Sequence, residues 1–178
     1  MELEREMQVV AVADYIHRTA DPAGFPPIIA SDLDAPPECV MTRCIHTDFS
    51  SIFHECTARA CMLCRAASVR FLTGLQSLHG RSTHFVDAWR AAGNHGPGYT
   101  HTSDQPLAAQ IAAKNHRELD HQRRLDYILL GGPVVYKTFA QVTACRVILD
   151  QPGVDGVWAT GHFGVLCDIA TVPPHASL

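Results

Sequence analysis

The sequence contains no apolar run near the ~20 residues that a membrane-spanning helix requires. Its first residues, MELEREMQ, mix charges of both signs where a signal peptide would place an apolar core. A soluble, cytoplasmic chain is the expectation. Blocks of like charge are also missing. Eighteen acidic residues against fourteen Lys and Arg give a net charge of −4, spread along the chain. That excludes a nucleic-acid coat protein but leaves room for a nuclease that grips only a few phosphates. There is no internal repeat and no low-complexity linker. The seven cysteines are an odd number in a chain without an export signal, so reduced thiols are expected rather than a disulfide framework.

What remains is apolar enough to fold. Hydrophobic residues make up 47% and charged residues 18% of 178 positions, which suits one domain with a sizeable core. Residues 3–18 contain neither Gly nor Pro and predict a surface helix, which DPAGFPP breaks. IIASDLD then predicts a buried strand ending in acids, stopped by Ala35-Pro36-Pro37. Residues 68–78 place Val69, Leu72 and Leu75 at a spacing of three and predict a helix despite Gly74. Residues 84–92 place Phe85, Ala88, Trp89 and Ala92 on one helical face, with Gly93 and Asn94 as a stop. The His-, Gly-, Asn- and Asp-rich stretch 94–122 predicts mostly exposed loop. Strands are expected at 124–130, 143–149 and 163–169. Helix, strand, helices and then strands make an α/β class.

Four residues at strand ends carry the chemistry. Asp32 and Asp34 stand two apart, so they leave the same face of a strand. Asp126 lies among apolar residues in RLDYILL, where an unpartnered charge is costly. His162 precedes the last strand, between Gly161 and the Phe163-Gly164 pair. A buried Asp beside a His fixes the tautomer and raises the basicity of the ring. Carboxylates at neighbouring strand ends can hold Mg²⁺ or activate water. The plainer alternative is that Asp32 and Asp34 only terminate a strand, while Asp126 pairs with Arg123 or Arg124.

Three segments together resemble a known family. Ser31-Asp32-Leu33-Asp34-Ala35-Pro36-Pro37 is similar to the Gly-Asp-Phe-Asn then Ala-x-Pro motif of the endonuclease/exonuclease/phosphatase superfamily, the metal-dependent phosphoesterases related to DNase I. Arg124-Leu125-Asp126-Tyr127-Ile128 matches its Arg-Ile-Asp-Tyr-Ile motif, and Thr160-Gly161-His162-Phe163-Gly164-Val165 its closing Ser-Asp-His-Phe-Gly-Val. VDAWRAAG and GPGYTHTSDQP also look like bacterial members. The resemblance covers most of 1–38 and 68–172, the C-terminal part of such a domain. It implies an α/β fold, a partial DNase I-like two-sheet sandwich with outer helices whose N-terminal half is missing. It also implies hydrolysis of a phosphodiester or phosphomonoester with Mg²⁺ or Mn²⁺. Asp32 would orient or deprotonate the attacking water, and Asp34 would contact the scissile phosphate or help hold the metal. Asp126 would orient His162, and His162 would contact the phosphate and take part in proton transfer. The substrate would be a phosphate ester, with nucleic acid and phospholipid headgroups both within the family's range.

Several departures accompany the resemblance. Asp34 replaces an Asn, and a carboxylate accepts hydrogen bonds but repels an anion. Gly161 replaces an Asp. The family's principal metal ligand belongs to the upstream half. An uncovered half-sandwich would expose apolar sheet faces, so self-association is an expected partner interaction. A catalytically inactive remnant or interaction module is the alternative to an enzyme. Residues 39–67 form a Cys/His-rich insertion holding Cys39, Cys44, Cys56, Cys61, Cys64, His46 and His54. Only Cys61 and Cys64 make a C-x-x-C pair, so the spacing argues against zinc on 39–64 and for a loop of reduced cysteines. Residues 173–178 are a tail. Cys145 and Cys167 fall on apolar strands and are expected as ordinary buried thiols. His95, His101, His116 and His121 lie in the glycine- and polar-rich loop and could approach substrate, with most of them expected to be solvated. Trp89 and Tyr99 could stack on a base, with core packing the expectation for Trp89.

Overall fold

A helix without Gly or Pro, two prolines before a β-branched run, and three late strands give the element order of the computed structural model. It describes residues 2–34, 67–114, 122–136 and 139–172. Helix α1 (Glu2–Thr19) leads into strand β1 (Ile28–Asp32), followed by helix α2 (Ala67–Leu72), strand β2 (Phe85–Asp87) and helix α3 (Ala88–Ala91). Helix α4 (Pro106–Lys114) and strands β3 (Asp126–Gly131), β4 (Phe139–Ile148) and β5 (Gly164–Val172) complete it. The class is mixed α/β with two small antiparallel sheets, one ordered β1-β3-β2 and the other pairing β4 with β5. Among the described residues, no helix is long and apolar enough to cross a membrane.

Strand β3 is the centre of the fold because its two faces meet different cores. Tyr127 and Leu129 point to one side, where they pack with Val9 and Ala13 of α1, Val69, Phe71 and Leu72 of α2, Leu78 and Phe85. Leu130 and Ile128 point to the other side, toward Ala88, Trp89, Val142, Cys145 and Val165. The hairpin β4–β5 runs in register from Phe139↔Val172 to Ile148↔Gly164, with an irregularity between Val142 and Ala144. Both Cys145 and Cys167 are free thiols that pair in register, and Cys145 is buried as the strand pattern predicts, whereas Cys167 is only half-buried. Large exposed apolar side chains sit mainly on α1 (Leu3, Met7, Val12, Tyr15) and on loops, with Ile28 and Leu166 on strands.

Four local expectations change. Among the described residues strand β1 lies at the edge of its sheet and is not a buried one: Ile29 packs against the first core, whereas Ile28 is 46% exposed. The helix expected over 68–78 ends at Leu72. Gly74 adopts φ +78, and the amides of Gly74 and Leu75 bond back to the carbonyls of Phe71 (3.1 Å) and Arg70 (2.8 Å), the paired closure of a Schellman motif. Residues 84–92 are not one helix. Phe85–Asp87 pair with Gly131–Leu129 as a strand, and the Asp87 carboxylate then accepts from the Trp89 amide at 3.0 Å to start α3. The stretch expected as exposed loop holds α4 and buries Thr100, Thr102 and Gln105. His116 and His121, the insertion with its cysteines, Ala35-Pro36-Pro37 and the tail lie outside the described residues.

Of the two arginines named as alternative partners for Asp126, Arg124 is engaged elsewhere. Arg124 is 3% exposed and makes a two-pronged bond to Asp87, with Nη1 to Oδ1 at 3.0 Å and Nη2 to Oδ2 at 2.7 Å. Its guanidinium lies 4.8 Å from the Tyr127 ring centroid and 6.0 Å from that of Trp89. Trp89 packs as expected, with its indole nitrogen donating to the Gly96 carbonyl at 2.9 Å. Gly98 allows this close approach, since a Cβ there would meet the indole at 2.6 Å.

Candidate active site

Antiparallel pairing of β1 with β3 places Asp32 directly opposite Asp126. Two carboxylates facing each other across a ladder repel, so the pairing needs a compensating group. His162 supplies it. Its Nδ1 lies 2.9 Å from Asp126 Oδ2 and 3.9 Å from Asp32 Oδ2. Asp126 and His162 are partly shielded, whereas half of the Asp32 side chain remains open to solvent. The hydrogen bond to Asp126 is the main influence raising the His162 pKa above its ordinary 6.5, opposed by partial burial and assisted by the carboxylate charges.

The backbone that holds His162 is tied to the same strand end. Thr100 is fully buried. Its hydroxyl oxygen accepts from the amides of Leu125 at 3.0 Å and Asp126 at 3.3 Å. Its carbonyl accepts from the Phe163 amide at 2.7 Å. One residue thereby links the strand carrying Asp126 to the loop carrying His162. Gln105 adds a second tie: its amide nitrogen donates to the Thr160 carbonyl, while its oxygen caps α4 through Leu107 and Ala108.

Asp34 is not brought into this cluster. It takes φ +44, which Asp tolerates, and its amide donates to Asp32 Oδ1 at 2.8 Å. Its carboxylate turns instead to Arg5 at 2.9 Å. Gly161 has room for a side chain: a Cβ would meet Ile111 at 3.5 Å and Ala108 at 4.0 Å, ordinary contacts. The glycine there is not a demand of space.

The donor set fits a divalent cation. One ligand atom each from Asp32, Asp126 and His162 lies within 4.8 Å of the others. Carboxylate oxygens and imidazole nitrogens are both ordinary ligands of divalent cations. His162 Nδ1 can serve only one purpose at a time, donating to Asp126 or ligating a cation.

His101, one of the four loop histidines expected to be mostly solvated or to approach substrate, is instead half-buried against His162. Its ring meets that of His162 edge to face, with centroids 4.9 Å apart and planes at 74°. Burial, followed by the neighbouring His162, pushes its pKa below 6.5. His95 and Tyr99 are exposed. Comparison with protein-family models, curated proteins and solved structures gives no match.

Proposed function

We propose that the protein is a metal-dependent phosphoesterase of the endonuclease/exonuclease/phosphatase type, built on part of a DNase I-like two-sheet sandwich. The observation that carries this reading is the convergence of Asp32, Asp126 and His162, each from a different resembling motif, at one end of the β1–β3 pair. In this reading Asp126 accepts the Nδ1 proton of His162, which leaves Nε2 to contact the phosphate and exchange a proton with it. Asp32, half open to solvent, is the acceptor for the proton of an attacking water. The water oxygen bonds to phosphorus as the ester oxygen leaves and collects a proton. A divalent cation held by the carboxylates of Asp32 and Asp126 would supply charge neutralisation at the phosphoryl oxygens. Asp34, paired with Arg5, would have to leave that partner to reach substrate or metal.

A catalytically inactive relative or interaction module is the second reading. It is favoured by Gly161 and by the Asp34–Arg5 pair, which withdraw two polar groups from the centre. Hydrolysis of bis(p-nitrophenyl) phosphate and p-nitrophenyl phosphate with Mn²⁺ or Mg²⁺ decides between them. Turnover abolished by EDTA and by His162→Ala is the expected result. A folded chain without turnover on either ester would overturn the enzyme reading in favour of the second.

A further inference from the structure

Among the described residues, the His162 ring meets Asp126, Asp32 and His101. Its neighbour Gly161 offers no side chain, and Phe163 is turned toward Trp158, with ring centroids 6.1 Å apart at 25°. Its Nδ1 faces two carboxylates, at 2.9 and 3.9 Å, so the hydrogen bond to Asp126 alone does not single out one ring orientation. The ring contact the structure gives it is His101. His101 is itself well anchored. Its amide donates to the Arg123 carbonyl at 2.9 Å, and the Arg123 amide returns a bond to the His101 carbonyl at 2.8 Å. Thr100 beside it is the buried tie to Asp126 and Phe163. The Nδ1 of His101 is sealed from water without a hydrogen-bond partner, so packing, not a Nδ1 hydrogen bond, sets the attitude of its ring. A buried polar atom left unpaired costs stability and calls for an explanation beyond space filling.

We infer that His101 is a positioning residue: its ring, edge to face with that of His162, keeps His162 Nδ1 on Asp126 and Nε2 toward the open side of the site. Edge-to-face geometry is directional, because the positive rim of one ring seeks the electron-rich face of the other. The contact therefore restricts rotation of the imidazole as well as its place. The inference rests on the proposed role of His162, but its central readout needs no turnover.

The test uses the full chain, ¹⁵N-labelled and kept in EDTA, with the tautomer of His162 read from long-range ¹H–¹⁵N correlations. The wild type should show a single Nδ1–H tautomer. His101→Phe keeps an aromatic edge and should preserve it. His101→Ala and His101→Leu should give a mixture, with Leu retaining bulk where Ala leaves a hole. With substrate, His101→Ala and His101→Leu should lower kcat roughly tenfold while KM stays within about twofold, as expected for a misplaced catalytic ring. His101→Phe should rescue the rate. A single Nδ1–H tautomer in His101→Leu, or a mixture in His101→Phe as large as in His101→Leu, would overturn the inference. If the wild-type chain hydrolyses nothing, the phosphoesterase reading falls while the spectra still decide the role of His101.

Discussion

Replacing Asp126 with Asn separates a catalytic pair from a structural one. The wild-type carboxylate accepts from His162 at 2.9 Å, with side chains 24% and 28% exposed respectively. Removing the charge leaves a neutral amide of the same shape. A charge-assisted bond of this kind contributes about 1.5–3 kcal/mol when well formed, and partial exposure puts this one at the lower end. The same change relieves the opposition of Asp126 to Asp32, its register partner, which returns several tenths of a kcal/mol. The net loss should be about 1 kcal/mol, a fall in Tm of roughly 2–4 °C for a chain of this size. Turnover should respond far more. Without the carboxylate, His162 loses the hydrogen bond and charge that raise its pKa, and its ring loses its anchor. General acid–base assistance is typically worth about 10²–10⁴-fold, so kcat should fall by at least two orders of magnitude with KM changed little. The inflection due to His162 should move to lower pH. The assay is bis(p-nitrophenyl) phosphate hydrolysis with Mn²⁺, beside urea unfolding of the same preparations. Wild-type activity within about threefold in Asp126→Asn, or a loss of rate matched by gross unfolding, would refute the reasoning.

Two further perturbations follow from the geometry. Asp87→Asn keeps the cap on α3 but leaves Arg124 buried without its counter-charge, and should cost about 3–5 kcal/mol. Asp87→Ala should cost about 1 kcal/mol more through loss of the cap, whereas Asp87→Ala with Arg124→Met should recover much of the deficit; urea midpoints check the order. The two histidines should give opposite pH signatures. The raised pKa of His162 means that its stabilising contribution is full below 6.5 and is lost as pH rises through its folded value. The lowered pKa of His101 means that its contribution is full above 6.5 and is lost as pH falls through its folded value. His162→Ala should therefore cost more stability at about pH 5.5 than at about pH 8.5, and His101→Phe should cost less at the acid end, as measured by urea unfolding at both. The same sign of pH dependence for both variants would contradict the assignment.

The site was legible where acid and strand coincide. IIASDLD and RLDYILL each join an apolar run to a terminal or embedded carboxylate, and both form strands whose Asp residues meet. The register that sets Asp32 against Asp126 was not legible, because pairing between segments 94 residues apart leaves no local periodicity. The burial of His101 was not legible for a related reason. Its surroundings are held by hydrogen bonds that Thr100 accepts from distant backbone amides and Gln105 donates to a distant carbonyl, so the stretch reads as solvated loop. At 84–92 the helical spacing of Phe85, Ala88, Trp89 and Ala92 is genuine but incidental. Pairing of Phe85 and Val86 with β3 takes the first part, and the Asp87 cap begins the helix afterwards. Gly74 was visible yet undervalued: its left-handed backbone ends α2 several residues before the apolar spacing does.

The Thr100 tie has a consequence for motion. Asp126 and His162 stand 36 residues apart in the chain, yet their backbones are fastened to one buried residue, one through its hydroxyl and the other, by way of Phe163, through its carbonyl. Bending of the β4–β5 hairpin relative to the three-stranded sheet would then pivot about a point beside the pair instead of passing between its members. Were the hairpin to flex, the carboxylate and imidazole would travel together and keep their 2.9 Å separation.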